Sequence, residues 1–119
     1  MTPDEFLELH RQLAVELAEA AKTGDRVDAF AIARPLRCEM GHWLHHEAQE
    51  VIGDGALYHE AVERHNEFHK SAEFVAKAVN MRSSDVPRML ARGSTFAIAL
   101  NGLEMLTMKL NRALADKAA

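Results

Sequence analysis

The chain has 119 residues, 48% of them hydrophobic and 27% charged, and a formal net charge of −4. That length encloses one modest core and no second domain, and the apolar fraction is too high for a disordered chain. The acidic balance, without any basic cluster, gives no reason to expect nucleic acid. No apolar run is long enough to cross a bilayer, and acidic residues stand near the start, where a secretory signal would be basic.

Helical signals then follow one another along the chain, with three prolines and six glycines as punctuation. Thr2, Pro3 and Glu5 spell a helix start: a capping threonine, a proline at the first helical position, and the glutamate of a Thr-x-x-Glu capping box. Phe6, Leu9, Leu13, Leu17 and Ala20 then fall on one face, and Gly24 can end the helix. Residues 25–34 are a connection whose Phe30 and Ile32 are expected to tuck into the core. Pro35 starts a second helix running to about Ile52, where Gly53-Asp54-Gly55 breaks it. A third helix covers roughly 55–80, with Leu57, Ala61, Phe68, Ala72, Val75 and Val79 as its apolar positions. After a connection through "MRSSDVP", a last and longer helix fills about 86–116. The predicted fold is all-α: one domain over 1–119, an antiparallel four-helix bundle with a long C-terminal helix.

The chain's one cysteine, Cys38, begins the second helix, and His10 lies midway along the first. A single cysteine cannot close an internal disulfide, which fits a cytoplasmic protein. His65 and His69 stand at i and i+4 on the third helix, so both rings leave one face, the face that also carries Phe68 and Ala72. A zinc ion between them would explain imidazoles on an apolar face. His10, Cys38, His65 and His69 would complete a tetrahedron of three nitrogens and a thiolate, a set suited to zinc rather than to calcium or magnesium. The competing reading is histidines held by hydrogen bonds in an ordinary core, since His-x3-His also arises by chance. Cys38 and His42 form another i, i+4 pair, and His42, His45, His46 and His59 read mainly as exposed.

Three segments together carry a resemblance. "HRQL" at 10–13, "CEMGHW" at 38–43 and "HNEFH" at 65–69 resemble the pattern of the chemoreceptor zinc-binding (CZB) domain. That pattern is a histidine followed three residues on by a bulky apolar residue, then Cys-x-apolar-Gly-x-aromatic, then His-x3-His. The order and the separations of 28 and 27 positions between His10, Cys38 and His65 also agree. The resemblance implies one zinc ion per chain held by His10, Cys38, His65 and His69, with Gly41 allowing close approach of another helix and Trp43 anchoring the core.

It also implies a bacterial sensor of zinc, or of oxidants such as hypochlorous acid at the bound thiolate. Such domains accompany chemoreceptors or diguanylate cyclases. Neither a methyl-accepting coiled coil nor a cyclase domain follows here, so the signal would pass to another chain. Four protein ligands leave no place for a catalytic water and no general base stands beside the site, so no enzymatic activity is expected. Two alternatives differ in class. A haemerythrin-like di-iron bundle draws on His10, His46-x3-Glu50 and His65-x3-His69, but lacks ligands on the fourth helix. A metal-free helical adaptor needs none of them.

The last helix suggests a homodimer. Met89, Phe96, Leu103 and Leu110, with Val86, Gly93, Leu100, Thr107 and Leu114, make one continuous seam. Ile98, Met105, Leu106 and Met108 fall outside it and ask for a second partner. Gly93 and Gly102, each costing about 1 kcal/mol of helix propensity, suit close backbone approach. The resemblance to CZB domains of signalling proteins also implies a dimer. The competing reading wedges the last helix among the other three.

Overall fold

A computed structural model describes residues 1–118, and among them it is helical with no strand. The first helix, α1 (Pro3–Thr23), begins as its sequence dictates. The Thr2 hydroxyl accepts from the Glu5 amide at 3.2 Å, and the Glu5 carboxylate accepts from the Thr2 amide at 2.9 Å. It ends at Gly24, whose φ of +81° is open to glycine at no steric cost.

The connection holds a short helix, α2 (Ala29–Ile32), capped by the Asp28 side chain. Phe30 does not tuck in: it is 63% exposed, and the Arg34 guanidinium lies 4.0 Å over its ring. Ile32 is half-buried against the core.

The predicted second helix is in three pieces. Pro35 opens only a single 3-10 turn (Pro35–Arg37). Cys38 is then extended, with φ −87° and ψ 144°, and serves as the cap residue of α3 (Glu39–His46). The chain kinks at Glu47 and continues as α4 (Ala48–Ile52). The third helix, α5 (Ala56–Asn80), matches its predicted range.

The predicted fourth helix is also divided, into α6 (Val86–Leu90) and α7 (Thr95–Ala118). Ala91 is extended, Gly93 turns the chain at φ +84°, and Ser94 accepts from the Ala97 amide to start α7. Gly93 is therefore a turn residue and not a point of close helix approach. Gly102 does sit at a close approach, but to the Arg64 guanidinium of the same chain.

Paired residues give the directions. Phe6 packs on Trp43 with ring centroids 5.6 Å apart, while His10 meets Cys38, so α3 runs opposite to α1. The pairs Glu60–Lys109 and Phe68–Phe96 set α7 antiparallel to α5. Asp4–Asn111 and Arg11–Glu104 set α7 antiparallel to α1. The four legs alternate in direction, the second being short and broken. Leu17, Phe68, Leu103, Leu106 and Leu110 are fully enclosed at the centre, so Leu106 belongs to the core and not to an outer face. Phe96, Thr107 and Leu110 of the predicted seam are buried too. At the far end of α5, the Asn80 side chain accepts from the Val27 amide at 2.8 Å and donates to the Val27 carbonyl at 2.9 Å.

Candidate metal centre

Three legs converge on one point. His10 comes from α1, His65 and His69 from α5, and Cys38 from the start of α3. One ligand atom from each lies within 4.8 Å of all the others. His10, His65 and His69 are buried, at 2%, 1% and 5% exposure, and Cys38 is half-buried.

For two of the rings, the backbone decides which nitrogen faces inward. His10 Nδ1 donates to the Phe6 carbonyl one turn back at 2.6 Å, leaving Nε2 as a bare lone pair 3.4 Å from Cys38 Sγ. His69 Nδ1 donates to the Ile32 carbonyl at 2.8 Å, and its Nε2 stands 3.1 Å from His65 Nε2. A metal-bound histidine is commonly oriented this way, by a carbonyl on its outer nitrogen. A zinc tetrahedron with bonds of about 2.0–2.1 Å to nitrogen and about 2.3 Å to sulfur has edges of roughly 3.3–3.6 Å. Two contacts, of 3.1 and 3.4 Å, match that spacing to a few tenths of an ångström, and the other donor pairs lie within 4.8 Å. The donor set therefore fits a borderline divalent ion.

Burial keeps the cluster uncharged. Desolvation holds His65 down to about 2, helped by repulsion from His69 and His10. Desolvation also lowers His10 to about 4, against the pull of the Phe6 carbonyl. His69 is lowered for the same reason, opposed by the Ile32 carbonyl. Burial pushes the Cys38 thiol up, while the backbone N–H groups of Gly41 and Met40 at the start of α3 act the other way. At neutral pH the three imidazoles thus offer lone pairs and not protons. The amide N–H groups beside the sulfur favour a thiolate once a cation compensates its burial.

Gly41 is needed for this geometry. A methyl group there would overlap the Pro35 carbonyl and come within 3.1 Å of the His65 ring. The close approach expected at Gly41 is thus made by the 3-10 turn and by a ligand ring. Trp43 is half-buried and packs on Phe6, whose carbonyl holds the His10 ring.

Two surface cavities reach Cys38. One, of about 290 Å³, also touches His10, His69, Arg34 and Arg37. The other, of about 350 Å³, is shared with Met1, Glu39, His42 and Glu47. His42, His45, His46 and His59 are all exposed, and the cluster includes none of them. His46 and Glu50 therefore do not join His10, His65 and His69 as a di-iron bundle requires. The Phe6 and Ile32 carbonyls are participants that residue types do not announce. The i−4 position of Phe6 relative to His10 was the one available sign.

Comparisons of the chain with protein-family models, with curated proteins and with solved structures returned no match.

Proposed function

We propose that this chain is a zinc-binding sensory domain of the CZB type, holding one Zn²⁺ through His10, Cys38, His65 and His69. The observation that carries the reading is the convergence of three Nε2 atoms and one sulfur, with two of the rings oriented by backbone carbonyls. Four protein donors make a closed site, which suits a structural or sensory role better than catalysis. When bound, the ion stabilises the Cys38 thiolate and ties α1, α3 and α5 together.

Cys38 supplies the redox handle. Its sulfur takes the oxygen of hypochlorous acid, giving a sulfenic acid and chloride, and the site loses its one anionic donor. Weaker coordination then loosens three helices at once, because binding energy at such a site is also folding energy. The output passes to another protein, a chemoreceptor or a diguanylate cyclase being the class that the CZB resemblance suggests. The test is metal analysis of untagged protein, followed by hypochlorous acid titration with a colorimetric zinc reporter. One zinc per chain, released at about one oxidant per thiol, supports the reading. Metal-free protein, or zinc retained after full thiol oxidation, overturns it.

A homodimer through α7 completes the proposal. Ile98, Met105 and Met108 are 61%, 55% and 72% exposed on that helix. Ile98 also joins Phe74, Met89 and Phe96 around a groove of about 770 Å³ between α5 and α7. Exposed apolar surface of this kind marks an interaction site. Sedimentation equilibrium of the zinc-loaded chain decides the point: a monomer at high micromolar concentration removes the dimer.

A further inference from the structure

The outer face of α3 carries two histidines that the buried cluster does not use. His42 and His46 are exposed at i and i+4, and their ring centroids are 4.4 Å apart with planes tilted by 40°. The same chain shows what that spacing can do. His65 and His69 are also i, i+4, with centroids 4.5 Å apart, and their Nε2 atoms meet at 3.1 Å. The outer pair has nearly the same ring separation, at the helix spacing where two imidazoles can share one ion. His45 does not share this spacing: it is adjacent to His46, with ring centroids 5.0 Å apart, and adjacent positions diverge around a helix. An oxygen donor stands nearby, because Glu39 lines the same cavity of about 350 Å³ as His42 and Cys38.

We propose that His42 and His46 form a second, exposed metal site, separate from the buried cluster, that takes borderline first-row cations such as Ni²⁺, Cu²⁺ and Zn²⁺. Two imidazoles, with water or a carboxylate in the remaining positions, suit these ions and not calcium or magnesium. Fewer protein donors and full hydration make this the weaker of the two sites. One of its donors, His42, lines the cavity that also contains Cys38, which places that imidazole on the approach to the buried sulfur from that side.

The probe is Ni²⁺, added to the full chain after one equivalent of Zn²⁺, and followed by calorimetry and by the histidine ring resonances. The expected result is one further equivalent, with paramagnetic broadening of His42 and His46. His42→Ala and His46→Ala each weaken it at least tenfold, while His45→Ala and His59→Ala do not. Circular dichroism shows whether the variants keep their helices, and the ring resonances of the unaltered chain report the site without any substitution. The ring resonances keep the assay apart from the buried-site reading, since Cys38→Ser should lose the buried zinc and keep the broadening at His42 and His46. No broadening at His42 and His46, or equal weakening by His45→Ala, overturns the proposal.

Discussion

His69 reaches past its own helix: its Nδ1 donates 2.8 Å to the carbonyl oxygen of Ile32, in the connection between the first two legs of the bundle. One ring thus offers a lone pair to the cluster and fixes the loop that leads into Cys38. Orientation of the donors and conformation of the connection are therefore one problem in this chain.

Replacing the donors should separate the cluster from the remaining histidines. Loss of a partner that merely orients a metal ligand costs about 10–100-fold in affinity, so loss of the ligand itself should cost more. Cys38→Ser, His65→Ala and His69→Ala are expected to weaken zinc binding by at least about a hundredfold, whereas His45→Ala and His59→Ala leave it unchanged. Competition with a chromophoric chelator measures both groups. Parent-like affinity in Cys38→Ser would falsify the ligand set.

Gly41→Ala tests the packing beneath the site. The added methyl group meets the Pro35 carbonyl and the His65 ring. Overpacking of this kind costs about 1–3 kcal/mol. A lower melting temperature is expected together with weaker zinc binding, because one of the crowded groups is a donor. Unchanged affinity in a destabilised protein would show that His65 moves aside without leaving its post.

Proton counting gives a pH prediction. In the metal-free chain the imidazoles are neutral at pH 7.5, since burial lowers them, and the thiol is protonated, since burial raises it. Zinc binding should then release about one proton, from Cys38, and calorimetry in buffers of different ionisation enthalpy reads that number. Stability of the metal-free chain follows the same groups. Below about pH 6.5 the unfolded histidines take up protons that the folded ones refuse, so stability falls with pH. For His10 that loss continues down to about 4. Denaturation midpoints that rise between pH 7 and pH 5 would contradict the buried, neutral rings.

Asn80→Ala probes the opposite end of the connection. It removes both hydrogen bonds to Val27 and leaves a half-buried amide and carbonyl without their partners. A loss of about 1–3 kcal/mol is expected. Zinc affinity should hold, because the cluster is built by other residues. Denaturant titration and chelator competition on one sample distinguish the two effects.

The His65–His69 pair was legible locally, as an i, i+4 pair on an apolar face; joining it to His10 and Cys38, far along the chain, rested on the resemblance to the three-part CZB pattern. The helix start at Thr2 and the stop at Gly24 were legible locally too, as capping chemistry is written in adjacent residues. The division of the last helix was available in Gly93-Ser94-Thr95, a turn residue followed by a cap, but the long apolar seam masked it. The kink at Glu47 has no such mark. The exposure of Phe30 depends on Arg34 covering its ring, and the burial of Leu106 on how α7 rotates against its neighbours. Both are set by tertiary packing, which no window of sequence contains.

The double hydrogen bond between Asn80 and Val27 gives the connection two unlike moorings. One end is tied to α5 by an amide that no ion or oxidant touches. The other is tied through Ile32 to His69 and through Cys38 to the cluster. A strap fastened in this manner pivots when its second mooring slackens; it does not come away. Any displacement of the strap would therefore grow from Val27 toward Cys38. Loss of the proposed ion would then free the Cys38 end while the Val27 end holds, and the α5–α7 pairing, made by Glu60 with Lys109 and Phe68 with Phe96, would keep its register.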